Sequence, residues 1–182
     1  MKTILKTAVS LFLICAVSAG ILALVNSVTA QKIDAIAAEK ADAARSEVLP
    51  AAVSFEEANA PDGTAYYVGK NAAGETVGCV FTTCAGSYGG KLELMTGVGA
   101  DGAVTGVNIL TIDDTPGLGM KAKTEAFRGQ YPGKSGTLSV IKNGEPGENE
   151  IAAITSATIT SNAVTSCVNQ ALALFETVRG EG

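Results

Sequence analysis

The sequence predicts a protein of the α+β class, in which an N-terminal transmembrane helix precedes a domain with a mainly antiparallel sheet packed by helices. Three observations support this prediction: a long charge-free apolar run, a series of short β-like runs separated by glycine turns, and a final segment whose apolar residues recur at helical spacing. We therefore divide the 182 residues into a transmembrane helix over 1–30, a juxtamembrane helical stalk over 31–50 and one domain over 51–182.

The first element is the apolar run, which contains no charged residue between Lys6 and Lys32. At about 1.5 Å per residue, a helix of this length crosses a hydrocarbon core of about 30 Å. A cleaved signal peptide is the alternative, because Lys2 and Lys6 precede the run and the small residues Val28–Ala30 are typical of a cleavage site. The run is longer than the apolar core of a signal peptide, so we favour a membrane anchor.

The next elements are a stalk and the strands. Residues 31–48 are rich in Ala, Glu and Lys and stop before Pro50, which predicts a helix, although a flexible linker fits the composition nearly as well. A turn at Ala100–Gly102 predicts that the two runs on either side of it form a hairpin. The runs typical of strands are Ala65–Val68, Thr76–Thr82, Lys91–Val98, Val104–Ile112 and Thr137–Ile141.

Two helices complete the prediction. A short helix is expected over Lys121–Arg128, and a solvated loop over 143–150 follows the last strand. From Asn162 to Val178, apolar residues recur at steps of three and four, which predicts a helix with one face against the sheet. Thr160 or Ser161 is well placed to be its N-cap.

Composition narrows the possible chemistry. The net charge of −5 and the lack of Lys and Arg clusters argue against nucleic acid as a partner. The absence of His excludes Ser-His-Asp and Cys-His catalysis, His-ligated haem and most catalytic zinc sites. The four Cys have no metal-cluster spacing; Cys79 and Cys84 either form a disulfide or are core residues or free thiols. Carboxylates or a bound cofactor remain as sources of chemistry, and we assign no metal site.

Two segments are candidates for binding. Thr155–Ser161 has five hydroxyl residues in seven positions, directly before the predicted helix, whose free N–H groups and dipole favour an anion such as phosphate. Simple capping of the helix is the alternative. In Asp113–Met120, Pro116 fixes φ and the glycines let the backbone approach a flat ligand, although a bare turn would have the same composition.

Two further patterns match known motifs by letters only. Gly97–Gly102 has the spacing G-x-G-x-x-G, but strand-forming residues follow it where a dinucleotide site needs a helix. Gly133–Ser135 resembles the end of a phosphate-binding P-loop, but the upstream glycine would fall at Arg128. We assign neither a function.

Together, the sequence TSATITSNAV, the turn TPGLG, the segment SYGG and the single membrane segment resemble the RnfG family, which supplies the G subunit of the Rnf electron-transport complex. The resemblance covers almost the whole chain. The NqrC protein of the sodium-translocating NADH:quinone oxidoreductase shares the same FMN-binding domain but is usually longer. The resemblance implies an FMN-binding domain over 51–182 on the extracytoplasmic side of the cell membrane, held by a single span.

The family's functional residues are carried over by motif. The resemblance implies that a flavin transferase joins FMN, taken from FAD, through its phosphate to Thr158, the last residue of a motif filled here by Thr155, Ser156 and Ala157. Ala152 stands where the family pattern has Asp. We expect the phosphate near Thr160 as well.

The flavin ring is expected against the TPGLG turn. The residues expected nearest to it are Thr115, Gly117, Leu118 and Gly119, with Tyr88 and Gly89 as a second wall. Lys121 would steady a reduced, anionic flavin, but a solvated helix residue is the better interpretation of it.

The resemblance implies an electron-carrying flavoprotein with covalent FMN and no catalytic site of its own, within a membrane-bound, ion-translocating ferredoxin:NAD oxidoreductase. Its expected partners are the other subunits of the complex, the flavin transferase and the membrane. One alternative is a stand-alone extracellular electron-transfer flavoprotein. Another is a non-redox exported binding or adhesion module, in which the hydroxyl residues only cap a helix.

Overall fold

The structure is a computed structural model that describes residues 2–180. Helix α1 extends over Lys2–Val48, and its stretch Ile4–Ser27 is long and apolar enough to cross a membrane. The chain forms two compact units, one up to Ala41 and the other from Asp42 onward. The last residues of the predicted stalk therefore belong to the unit that contains the sheet.

The second unit is built on a five-stranded sheet in which every neighbouring pair is antiparallel. This confirms the predicted fold class. Strand β3 is longer than predicted, and β1 was not predicted because Glu56 and Glu57 interrupt its apolar pattern. In spatial order the strands are β1 (Ser54–Asn59), β2 (Ala65–Lys70), β3 (Thr76–Ser87), β4 (Gly90–Gly99) and β5 (Val104–Thr111).

The predicted hairpin is the pair β4 and β5. Gly102 has a φ of +85°, and its N–H donates to the carbonyl of Gly99 at 2.9 Å. The carboxylate of Asp101 accepts from the N–H of Ala103 at 3.0 Å. Gly102 therefore supplies the positive φ, and Asp101 closes the turn with its side chain.

The elements after the sheet differ from the prediction. The single short helix is instead a 3₁₀ helix over Gly119–Lys123 followed by α2 over Glu125–Arg128, because Thr124 between them is extended, with ψ of 147°. Strand β6 (Ser139–Ile141) is shorter than predicted and pairs in parallel with β7 (Glu150–Ala152), which was not predicted. Three-residue strands are too short to leave a periodic signal.

Helix α3 covers one face of the sheet over Thr158–Arg179 and packs on β3 and β4. The predicted apolar positions Val164, Val168, Leu172 and Phe175 are buried there. The ring of Phe175 meets that of Phe81 edge to face, with the centroids 6.5 Å apart. The amphipathic pattern is thus confirmed, although α3 begins four residues before the predicted start.

Glycines shape the opposite face of the sheet around the end of α1. A Cβ on Gly97 would lie 2.2 Å from the carbonyl oxygen of Val48, and a Cβ on Gly69 would lie 2.4 Å from the side chain of Leu49. Val48 and Leu49 are buried, and Thr105 donates its hydroxyl to the carbonyl of Val48 at 2.5 Å. The chain around residue 48 therefore packs directly on the strand backbones.

The cysteines of β3 are not bonded to each other. Cys79 is buried, and burial raises the pKa of its thiol, whereas Cys84 is exposed. Side chains five residues apart in a strand point to opposite faces, with their Cα atoms about 17 Å apart. The disulfide alternative is therefore wrong.

Candidate functional site

A cavity of about 600 Å³ opens where three segments of the second unit meet. One is the two-residue turn between β3 and β4, another is the turn that follows β5, and the third is the N-terminus of α3. The lining residues are Tyr88, Asp114, Thr115, Leu118, Gly119, Ser156, Ala157, Thr158, Ile159 and Thr160.

The N-terminus of α3 is not capped by any side chain. Ala157 occupies the N-cap position and has no hydroxyl, so the prediction of Thr160 or Ser161 as the N-cap is wrong. Ser156 before it has a φ of +64°, the left-handed region that a residue with a Cβ seldom adopts. The N–H groups of the first turn are therefore left for another acceptor.

The five hydroxyls of the segment divide into distinct environments. Thr160 is buried and donates to the carboxylate of Asp114 at 2.5 Å. Ser161 is buried, donates to the carbonyl of Ala157 at 3.0 Å and accepts from the N–H of Ile154 at 2.9 Å. Both are occupied by contacts within the fold, because they lie on the inward side of the first turn.

The other three hydroxyls are more accessible. Thr155 is exposed and does not line the cavity. Ser156 is exposed, Thr158 is half-buried, and both line the cavity. Their hydroxyls make no hydrogen bond with any residue that the structure describes. Thr158 is thus the helical hydroxyl available to a ligand in the cavity.

Asp114 is a functional candidate that the site prediction missed. Its side chain is only 3% exposed, and its carboxylate accepts from the Ser87 hydroxyl at 2.5 Å, the Gly89 N–H at 2.6 Å and the Thr160 hydroxyl. Burial alone would raise the pKa of this carboxyl, but these hydrogen bonds more than compensate and hold its pKa below the ordinary value. The group is therefore a buried carboxylate.

The TPGLG turn supplies one wall of the cavity. Thr115, Leu118 and Gly119 line the cavity, whereas Gly117 does not. Gly117 has a φ of +78° with open space around it, so its role is to shape the turn. A Cβ on Gly119 would lie 2.6 Å from the side chain of Asp114, so this glycine is needed for packing within the protein.

The remaining predicted residues divide in the same way. Tyr88 and Ala157 line the cavity, and Gly89 lies behind it, bonded to Asp114. Lys121 is exposed and does not line the cavity. Ile159, which the prediction omitted, lines it. Three exposed apolar side chains, Tyr88, Leu118 and Ile159, thus surround the opening, a surface suited to a flat aromatic ligand.

Comparison with known proteins shows which family has this arrangement. Residues 87–173 match the FMN-binding domain, and residues 1–48 match the RnfG N-terminal region. The G subunit of the Na⁺-translocating ferredoxin:NAD⁺ oxidoreductase complex of Acetobacterium woodii is 39% identical, over 96% of this chain and 93% of the relative. The chain belongs to the RnfG family. The FMN-binding match in this RnfG chain includes all three walls of the cavity.

Solved structures agree with the fold of this RnfG chain. The C subunit of the Na⁺-translocating NADH-quinone reductase from Parabacteroides distasonis superposes with a TM-score of 0.52 at 22% identity, and the match spans 62% of each chain. NqrC of Shewanella oneidensis gives a TM-score of 0.55 at 16% identity, over 71% of this chain and 72% of that chain. At these identities the likeness concerns the fold alone.

Proposed function

We propose that this chain is the FMN-carrying electron-transfer subunit of a membrane-bound, ion-translocating ferredoxin:NAD oxidoreductase complex, with the FMN phosphate esterified to Thr158. The observation that carries the proposal is the free hydroxyl of Thr158, on an uncapped helix that faces the cavity of an FMN-binding domain. Bound FMN would supply the redox chemistry by accepting and passing on electrons, and the protein would supply position and surroundings.

The N-terminus of α3 suits the phosphate. No side chain caps the first turn, so its N–H groups and the positive end of the helix dipole remain available to an anion. Thr158 is the first residue of the helix, and Ser156 beside it offers a second hydroxyl. A phosphoester at Thr158 would therefore lie within reach of several donors.

The cavity suits the flavin ring. Its volume of about 600 Å³ falls within the usual range for small-molecule sites. Leu118 and Ile159 give apolar surface on two sides of the opening, and Tyr88 gives an aromatic ring on the third. These side chains would hold the ring at the protein surface, where electrons can be exchanged with a neighbouring subunit.

Attachment requires a flavin transferase, and Ala152 bears on that partner. Its N–H donates to the side-chain oxygen of Gln130 at 2.8 Å, and the Gln130 amide donates back to the Ala152 carbonyl at 3.4 Å. The side chain of Ala152 itself is half-buried and forms none of these bonds. We infer that an Asp at this position would be accommodated and would restore the transferase motif of the family.

The location of the domain follows from the proposed role. The stretch Ile4–Ser27 would anchor the chain in the cell membrane, with residues 51–182 on the extracytoplasmic side among the other subunits of the complex. Covalent attachment there would prevent the loss of FMN by diffusion. A stand-alone flavoprotein would instead purify without other membrane subunits.

The test is ultraviolet fluorescence of the denatured protein in a gel after co-production with a flavin transferase. We expect a fluorescent band for the native chain and for Ser156→Ala, and none for Thr158→Val. Ala152→Asp should give a band at least as bright as that of the native chain. A fluorescent Thr158→Val band would refute the proposed ester, and a dark native band that Ala152→Asp makes bright would identify Ala152 as the defect.

A further inference from the structure

One carboxylate joins all three walls of the cavity. Asp114 itself lies at the start of the turn that follows β5. Its oxygens accept from Ser87 and Gly89 of the β3–β4 turn, and from Thr160 in the first turn of α3. These partners are 27, 25 and 46 residues away along the chain. No neighbouring segment could therefore fix the same separation locally.

The backbone around Asp114 leaves no room for the walls to close further. A Cβ on Gly89 would lie 2.1 Å from the carbonyl oxygen of Asp113. A Cβ on Gly119 would lie 2.6 Å from Asp114 and 2.7 Å from the Thr160 hydroxyl. The glycines thus bring the walls into direct contact, and the carboxylate prevents them from separating.

The bonds to Asp114 hold the two segments that flank the opening. Ser87 and Gly89 lie on either side of Tyr88, whose side chain is 72% exposed at the opening of the cavity. Thr160 lies two residues after Thr158, with Ile159 between them in the cavity wall. Loss of the carboxylate would therefore release the position of Tyr88 and the start of α3 at once.

We propose that Asp114 is the positioning residue of the flavin site: by binding Ser87, Gly89 and Thr160 together, it fixes the distance between the Tyr88 turn and the α3 N-terminus that carries Thr158. The inference rests on the proposed function for the identity of the ligand. The positioning itself is a property of the protein chain and can be measured without flavin.

The experiment compares four variants. Asp114→Ala removes the contact, whereas Asp114→Asn keeps it without the charge, because its amide oxygen accepts from Gly89 and its NH₂ group donates to hydroxyls that can rotate. Asp113→Asn is the matched control, since this neighbouring carboxylate is exposed and the structure gives it no side-chain hydrogen bond with a described residue. Ser87→Ala removes one donor at little risk to folding.

The first readout needs no flavin. In full-length Thr158→Val protein, hydrogen exchange is measured by mass spectrometry for peptides covering 86–90 and 156–161. With Asp114→Ala we expect exchange about tenfold to a hundredfold faster in both peptides, because buried donors lose a charged acceptor. Asp114→Asn should restore most of the protection, and Asp113→Asn should change nothing. Ser87→Ala should loosen the first peptide and, more weakly, the second.

The second readout is the bound flavin. In chains that retain Thr158, Asp114→Ala and Ser87→Ala should alter the visible circular dichroism and the midpoint potential of the flavin, while Asp113→Asn should leave both unchanged. Equal exchange in the native and Ser87→Ala chains, or equal disturbance by Asp113→Asn, would overturn the proposal. Ser87→Ala decides the matter if Asp114→Ala does not fold. A native chain without flavin would refute the proposed function alone, since the exchange experiment would still test Asp114.

Discussion

The hydroxyl-rich segment 155–161 contains two pairs of residues with opposite surroundings. The outer pair, Ser156 and Thr158, lines the cavity and makes no side-chain hydrogen bond with the described residues. The inner pair, Thr160 and Ser161, is buried and fully engaged within the fold. Positions 158 and 160 differ by about 200° around a helix. Residues that composition makes equivalent are therefore separated by helical geometry into ligand-facing and structural roles.

The largest expected effect concerns the inner pair. Thr160→Val keeps the shape of the side chain but removes the donor to the buried Asp114 carboxylate. We expect the free energy of unfolding to fall by about 2 kcal/mol, because the hydrogen bond is to a charged group that cannot reach water. The shift in the midpoint of urea unfolding measures this loss.

Ser156→Ala is the control from the outer pair. Its hydroxyl faces the cavity and supports no other described residue, so the free energy of unfolding should change by less than about 0.5 kcal/mol. Equal losses in Thr160→Val and Ser156→Ala would mean that the two pairs do not differ in role.

The fold was predictable where the signal is local. The β4–β5 hairpin depends on turn residues next to each other, and the apolar face of α3 depends on a periodic pattern within one helix. Strand β1 was missed because Glu56 and Glu57 face solvent at an edge of the sheet. The start of α3 was misplaced because a run of hydroxyl residues predicts an N-cap, whereas Ala157 holds that position.

The site was predictable in part. The motif and the turn that line the cavity are contiguous in sequence, so Thr158 and Leu118 could be named from their segments. Asp114 could not be distinguished from Asp113 by sequence alone. The two differ only in which one points inward, toward donors that lie in distant segments. The repeated Asp next to the glycine turn was the one available signal.

A smaller effect is expected from pH, again through the inner pair. The folded pKa of Asp114 lies below its unfolded value, so its carboxylate stabilises the fold at pH values above the unfolded pKa. That contribution is lost as the pH falls through the folded pKa. Between about pH 6 and about pH 3, the urea midpoint of the native chain should therefore fall further than that of Asp114→Asn.

Asp113→Asn separates this effect from a general loss of negative charge. Asp113 is exposed, so its removal should leave the acid-induced fall in the urea midpoint close to that of the native chain. An equally steep fall in Asp114→Asn would show that the buried carboxylate does not contribute to the pH dependence.

The smallest expected effect concerns the outer pair and comes from the backbone. Ser156 has a φ of +64°, a conformation that costs a residue with a Cβ about 1–2 kcal/mol, while glycine adopts it freely but loses more chain entropy on folding. Ser156→Gly should therefore raise the free energy of unfolding by about 0.5 kcal/mol. Ser156→Ala keeps the Cβ and should give no gain in the same urea titration. A gain in both variants would mean that the hydroxyl, and not the left-handed backbone ahead of Thr158, is the source of the cost.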